Sequence, residues 1–338
     1  MPVIALDAMG GDFSPRAPAE AAARAAAAGN DFDVMLVGER ALLQEQLARR
    51  GGGEAVAIRH APEFVAMDES PAEALRRKPG ASVREAFEAV KRGEAAGVVT
   101  AGNSGAAMIA GKMVLNTLPG IDRPALATHL PHRRGQTVFL DSGANVDSKP
   151  AHLLQFAWMG ATYARLVLEK SDPRVALLSN GAEEGKGNDL NRKAFKLLRE
   201  SPLHFVGNLE PRDLFKGKAE VVVSDGFAGN LVLKTAEAAS SEVRLFLRES
   251  VFRSPARRLG YWLLRGFFLD LARRTDYREI GGSLLLGLRG VAVVCHGSSN
   301  ARTIQNALGL AARCAARNLV AEISRDLPRQ SGRHTASA

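Results

Sequence analysis

The chain has 338 residues, 46% hydrophobic and 24% charged, with a formal net charge of +9. That composition is globular and excludes collagen-like and disordered classes, and two cysteines, Cys295 and Cys314, without metal-ligand spacing give neither a disulfide framework nor a zinc site. No segment reaches the ~20 apolar residues of a spanning helix, and Val3-Ile4-Ala5-Leu6-Asp7 opens as a strand without a basic leader, so a cytoplasmic location is expected.

In chain order, strand 3–7 leads through Gly10, Gly11 and Asp12 into an Ala-rich helix over about 15–28. Strands at 33–37 and 55–60 flank a helix over 39–50. Next come helix 82–92, strand 97–101, helix 104–117, strands 124–129 and 136–140, and a long helix over 149–169. Strand 174–178, helix 188–199, strands 204–207 and 220–224, helix 229–249, strand 291–295 and helix 299–325 complete the series, before a polar tail over 328–338. The βα alternation predicts a three-layer α/β/α fold on a mainly parallel, doubly wound sheet. Residues 1–327 are taken as one α/β domain, with two lobes around a cleft as the alternative.

Four of the strands break into loops of Gly, Asn, Ser and Asp that open helices. They carry Gly102-Asn103-Ser104-Gly105, Asp141-Ser142-Gly143-Ala144-Asn145, Asp225-Gly226-Phe227-Ala228-Gly229-Asn230 and His296-Gly297-Ser298-Ser299-Asn300. Any one is ordinary turn chemistry. Four at the carboxyl edge of one sheet would gather helix N-termini and neutral donors suited to a phosphate or an oxyanion. Asp7, Asp12, Asp141 and Asp225 near strand ends could hold Mg²⁺, serve as bases or cap the following helices. Lys186 in the 179–188 loop and Lys149 at a helix start are candidate phosphate cations; a cation at Lys149 opposes the helix dipole unless an anion is near. His296 is the best candidate for acid–base work or oxyanion donation. Its neighbour Cys295 should point to the opposite face, which rejects a Cys–His pair. No Walker sequence or dinucleotide fingerprint occurs.

The charge excess is local. Residues 253–278 hold seven arginines against Asp270 and Asp276, around Leu259, Tyr261, Trp262, Leu263, Phe267 and Phe268. Arginines at both ends of an aromatic helical excursion over about 254–280 fit an interfacial segment, with Leu259, Trp262, Leu263, Phe267 and Phe268 in lipid. A buried helix or a docking surface would explain it as well. No groove-reading motif speaks for nucleic acid; an acidic protein or an anionic membrane suits the charge better.

Five segments, residues 4–12, 101–106, 141–147, 224–230 and 296–301, resemble in order the signatures of the bacterial PlsX family of soluble phosphate acyltransferases, and the likeness runs from residue 3 to about 325. It departs at Leu284, where a proline is expected, and at Asn180-Gly181-Ala182. The resemblance implies transfer of a long acyl group from acyl carrier protein to inorganic phosphate, without a cofactor or metal. It also implies a fold similar to the isopropylmalate dehydrogenase and phosphotransacetylase group, a homodimer, peripheral membrane association and a downstream membrane glycerol-phosphate acyltransferase. On this basis the loop residues above, with Asn145 or His296 as oxyanion donor and Asp225 orienting phosphate, form the expected site. A short-chain phosphotransacetylase, a nicotinamide dehydrogenase and a non-enzymatic membrane scaffold are the rivals.

Overall fold

Apolar runs of three to five residues carry the sheet: β1 (Val3–Asp7), β4 (Gly97–Thr100), β9 (Val221–Val223) and β11 (Val291–Val294) are buried almost throughout. Burial on both faces is what permits uninterrupted Val and Ile in parallel strands. The computed structural model describes residues 1–51, 55–268 and 281–328. The remaining strands are β2 (Asp33–Gly38), β3 (Ala57–His60), β5 (Ala125–His132), β6 (Gly135–Leu140), β7 (Val175–Leu178), β8 (Phe205–Leu209) and β10 (Ser283–Leu286). They form one eleven-stranded sheet in the order β3-β2-β1-β4-β11-β10-β5-β6-β9-β7-β8.

Along β1, Ile4 and Leu6 face one core and Ala5 the other. The first face is covered by α1 (Arg16–Ala27), α2 (Arg40–Ala48), α6 (Pro150–Val167), α7 (Asp189–Glu200), α10 (Ala301–Ala316) and α11 (Leu319–Asp326). Alanines 19, 21, 22 and 25 let α1 lie close against α10. On the other face, α3 (Pro71–Arg77), α4 (Ser82–Lys91) and α5 (Ser104–Leu115) cover the β1 half of the sheet. Over the β9 half, that face is covered by a 3₁₀ turn at Pro211–Lys216 and the first turns of α8 (Gly226–Phe252).

The fold is of the predicted α/β class on a mostly parallel sheet, with one correction that matters for the site. The two half-sheets run in opposite directions. β3, β2, β1, β4 and β11 are mutually parallel, and so are β6, β9, β7 and β8. Antiparallel β10 and β5 join them. β10 escaped the sequence reading because its Leu-Leu-Leu run, directly after Gly281-Gly282, lacks the β-branched residues that mark the other strands. Its register explains how the loops still meet. Leu284 stands opposite both Val293 and Ala127, while Thr128 stands opposite Phe139. The last residues of β11 and β6 therefore reach the same level from opposite sides, and the carboxyl ends of both half-sheets face each other across a cleft. The loops lie on two facing edges rather than one.

Smaller differences follow from single residues. Helix 299–325 is two helices, because Asn318 adopts φ 51° between α10 and α11. α3 went unread, although Ser70-Pro71 starts it.

α8 spans 27 residues, about 40 Å, yet only Gly226, Gly229 and Leu233 are buried, so its distal part leaves the body. Ser254 caps α9 (Pro255–Leu263), which begins where the predicted excursion does and folds back along α8. Residues 269–280 of the predicted excursion and 329–338 of the tail lie outside the described residues.

Candidate active site

The facing edges enclose a cleft of about 250 Å³. Gly102 and Ser104 come from the β4 edge, His296, Gly297 and Ser299 from β11, and Ser142 and Gly143 from β6. α8 contributes Asn230, Leu233, Lys234 and Glu237. α5 enters with its first amides free of intrahelical partners, since its Asn103 cap serves only Ala106 N–H, at 3.1 Å.

The tautomer of His296 is readable. Its Nδ1 lies 3.2 Å from the backbone N–H of Ser298 and 2.9 Å from the Ser298 hydroxyl. A backbone amide can only donate, so Nδ1 accepts and the neutral ring carries its proton on Nε2. His296 is thereby a donor in the cleft wall. Ser298, expected to touch substrate, orders this ring instead.

Three hydroxyls form a second ordered element. Thr128 Oγ1 lies 2.7 Å from both Ser142 Oγ and Ser283 Oγ, and Ser142 donates to the Leu126 carbonyl at 2.9 Å. With one hydrogen each, donation runs Ser283 to Thr128 to Ser142 to the carbonyl. This leaves lone pairs of Ser283 able to accept a P–OH or water proton.

Several expected ligands hold the chain to itself instead. Both amide hydrogens of buried Asn145 are committed, to Pro124 O and Asp141 Oδ2 at 2.8 Å each, which corrects its assignment as oxyanion donor. Asp225 caps α8, accepting from Ala228 N–H at 2.9 Å, and does not line the cleft. Asn103 also donates to the Met67 and Glu69 carbonyls, tethering the segment before α3. Gly226 and Gly229 are demanded by close approach: a Cβ would lie 2.6 Å from Asn145 O and 1.9 Å from Asp141 O. Gly10 and Gly11 pack against Gly102 and Ala101 in the same way, and Gly105 against Pro71. Asp12 donates its N–H to Gly297 O at 3.0 Å, joining the β1 and β11 loops. Lys149 and Lys186 are exposed and line no part of the cleft.

Asp141 organises the β6 loop. Its carboxylate accepts from Leu126, Gly143, Ala144 and Asn145 backbone N–H groups and from the Asn145 side chain, at 2.6–3.2 Å. Burial pushes its pKa up while these donors pull it down. Asp7 is likewise raised by burial and receives the hydroxyls of Ser82 and Thr100 at 2.6 and 2.7 Å. Cys295 is inert: burial pushes its thiol up to about 12, and Sγ lies 3.3 Å from Gly281 O.

His129 lines the cleft, fully desolvated, with Tyr163 Oη 2.8 Å from Nε2. Desolvation lowers its pKa from 6.5 to about 4. The unfolded chain takes up a proton near the ordinary value, whereas the native chain resists until about 4. Stability is therefore expected to fall as pH drops through this window, by up to about 3 kcal/mol. Urea unfolding between pH 7 and 4.5 should show a flatter dependence in His129→Gln; parallel curves would refute the assignment.

Lys234 escaped sequence reading because it sits inside a helix rather than in a Gly-rich loop. Among the described residues it is the one lysine or arginine lining the cleft, with Nζ 2.9 Å from Glu237. Its distance of four residues from Asn230 was the available signal, since i and i+4 share a helix face. Among the described residues no group of three or more His, Cys, Asp or Glu is placed to hold a metal.

The family model described as "Fatty acid synthesis protein" matches residues 3–322. A phosphate acyltransferase of Syntrophotalea carbinolica is 48% identical over 310 residues, covering 91% of this chain and 89% of that protein. One of Pelobacter propionicus is 48% identical over 320 residues, covering 94% and 92%. Among solved structures, a phosphotransacetylase from Streptococcus pyogenes superposes with TM-score 0.60 at 18% identity, over 93% of this chain and 94% of that one. A 4-hydroxythreonine-4-phosphate dehydrogenase from Klebsiella pneumoniae gives 0.54 at 14% identity, over 93% and 100%. These likenesses concern the fold alone. The sequence matches over nine-tenths of the chain go further: the chain belongs to the phosphate acyltransferase (PlsX) family of fatty acid and phospholipid synthesis and is an acyltransferase enzyme.

Proposed function

We propose that the cleft transfers a long acyl group from acyl carrier protein to inorganic phosphate, giving acyl phosphate and the free carrier thiol. The observation that carries this is the convergence of the α5 N-terminus, Lys234 and the Nε2–H of His296 in one small cleft. Phosphate sits against Ser104, Asn230, Lys234 and the first amides of α5, its charge met by one cation and a helix dipole. Its oxygen attacks the thioester carbon, and the carbonyl oxygen becomes an oxyanion that accepts from His296. Collapse expels the carrier thiolate, which takes a proton from solvent. Phosphate is itself the nucleophile, so no acyl-enzyme forms, and the site's work is to hold two reactants at about 3–3.5 Å.

The basic excess fits an acidic carrier. The α8–α9 projection fits a membrane surface: Leu259, Trp262, Leu263 and Phe267 are 59–68% exposed, whereas Phe268 turns inward onto Tyr261, ring centroids 5.1 Å apart. No described helix is long and apolar enough to cross a membrane, so attachment is peripheral in this proposal. A product made at the surface is delivered to a membrane acyltransferase using glycerol phosphate. Exposed Leu231, Ala238 and Leu245 repeat every seven residues along α8 and offer the seam of a homodimer.

The deciding experiment is thiol release from palmitoyl-acyl carrier protein with and without phosphate, while hydroxylamine traps acyl phosphate. Phosphate-dependent release with hydroxamate supports the proposal. Equal or better turnover of acetyl-CoA favours a short-chain phosphotransacetylase, and release without phosphate a hydrolase. Replacing Trp262, Leu263, Phe267 and Phe268 by Ser is expected to cut binding to anionic vesicles at least tenfold in co-sedimentation, with thiol release in solution kept; undiminished binding would remove the hairpin from the membrane.

A further inference from the structure

α8 carries a second cavity, beyond the cleft, that the reaction scheme does not use. It measures about 650 Å³ and lies between α8 and the returning segment, with Val243, Leu247 and Val251 on one wall and the stacked rings of Tyr261 and Phe268 on the other. Cavities of this size hold small ligands. From Ala239 to Phe252 it follows the helix for about 20 Å, roughly the extended length of a sixteen-carbon chain. Arg244 and Arg248 are the charged groups of its lining, which contains no carboxylate among the described residues.

Its position along the helix is as informative as its lining. Asn230, Lys234 and Glu237 border the cleft, and Ser240, Arg244, Leu247 and Val251 continue at three- and four-residue steps on the same side of α8. The proposed dimer seam of Leu231, Ala238 and Leu245 lies on the side of the helix away from Ser240, Leu247 and Val251. The groove and the cleft are thus successive stations on one helix face.

We propose that this groove binds the released acyl phosphate, its hydrocarbon chain along Val243, Leu247 and Val251 and its phosphate on Arg244 and Arg248. The inference rests on the reading that the cleft makes a long-chain acyl phosphate, and the helix face supplies a sheltered path for that product toward the hairpin tip. The ligand class is a single-chain anionic amphiphile. A single chain can lie along the apolar wall of Val243, Leu247 and Val251, and paired guanidiniums suit a phosphate head, which Arg binds in a planar, forked geometry.

The test is equilibrium binding of hexadecyl phosphate, a non-reacting analogue, below its micelle concentration, read by displacement of cis-parinarate from the full chain. Ser240→Trp, which fills the groove, should weaken binding at least tenfold. The double variant Arg244→Glu/Arg248→Glu should weaken hexadecyl phosphate at least tenfold and hexadecanol less than threefold. Both should keep the circular dichroism of the parent and acetyl-CoA or butyryl-CoA turnover with phosphate within twofold. Unchanged affinity in either variant overturns the proposal. Tighter binding of dioctanoyl phosphatidate than of hexadecyl phosphate overturns it in favour of a two-chain lipid. Light scattering that shows Ser240→Trp or hexadecyl phosphate splitting a dimer assigns the groove to a second copy of the chain and also overturns it. If the parent protein forms no acyl phosphate from any thioester, the cleft reading fails by itself, because analogue binding is measured without turnover.

Discussion

Gly229→Ala is expected to lower kcat/KM at least 100-fold and to destabilise the protein by about 3 kcal/mol, near the upper end for overpacking. The added methyl would sit 1.9 Å from Asp141 O. That carbonyl cannot withdraw cheaply, because the Asp141 carboxylate anchors the loop through the N–H groups of Leu126, Gly143, Ala144 and Asn145. The α8 N-terminus must move instead, carrying Asn230, Leu233 and Lys234 with it. A misplacement of about 1 Å between reactants is enough for a 100-fold loss. Urea unfolding and steady-state kinetics on one preparation check both halves. A variant within threefold of parent activity and about 1 kcal/mol of parent stability would show that the helix docks with more tolerance than its contacts indicate.

His296→Ala should reduce kcat by 10²–10³, the loss found when one oxyanion donor is removed, with KM for phosphate changed little. The Ser298 amide fixes the proton on Nε2, so what disappears is an N–H and not a base. His296→Gln keeps a donor amide and should recover part of the loss. Lys234→Ala should do the reverse, raising KM for phosphate more than it lowers kcat. A loss below tenfold for His296→Ala would exclude it from the oxyanion site.

Where both faces of a strand are buried, as in Val221–Val223 and Val291–Val294, the sequence declares it by an unbroken apolar run rich in valine. β10 gave no such signal, since three leucines between glycines suit a helix end or a loop equally, and with it went the reversal of the half-sheets. The site loops were legible for the same reason as the strands: glycines beside Asn, Ser and Asp mark sharp exits. What composition could not separate was a side chain that serves a ligand from one that serves its own backbone. Asn103, Asn145 and Asp225 have the same chemistry in either role, and only geometry shows their amides and carboxylates already engaged. Gly226 and Gly229 were legible as necessary, though for chain crossing rather than phosphate. Lys234 illustrates the opposite error: a polar residue in a regular helix attracts no notice until the helix end is seen to point into a cleft.

The stitching of the two half-sheets has a mechanical corollary. β10 is held by two residue pairs to β11 and by three to β5. These few rungs join the walls that carry His296 and Asn230. Substitutions at the buried Leu284, Leu285 and Leu286 are therefore expected to shift one wall against the other, and with it the alignment of nucleophile and carbonyl. Bulkier or smaller side chains at these buried positions would detune the reaction without altering any group that meets the substrate.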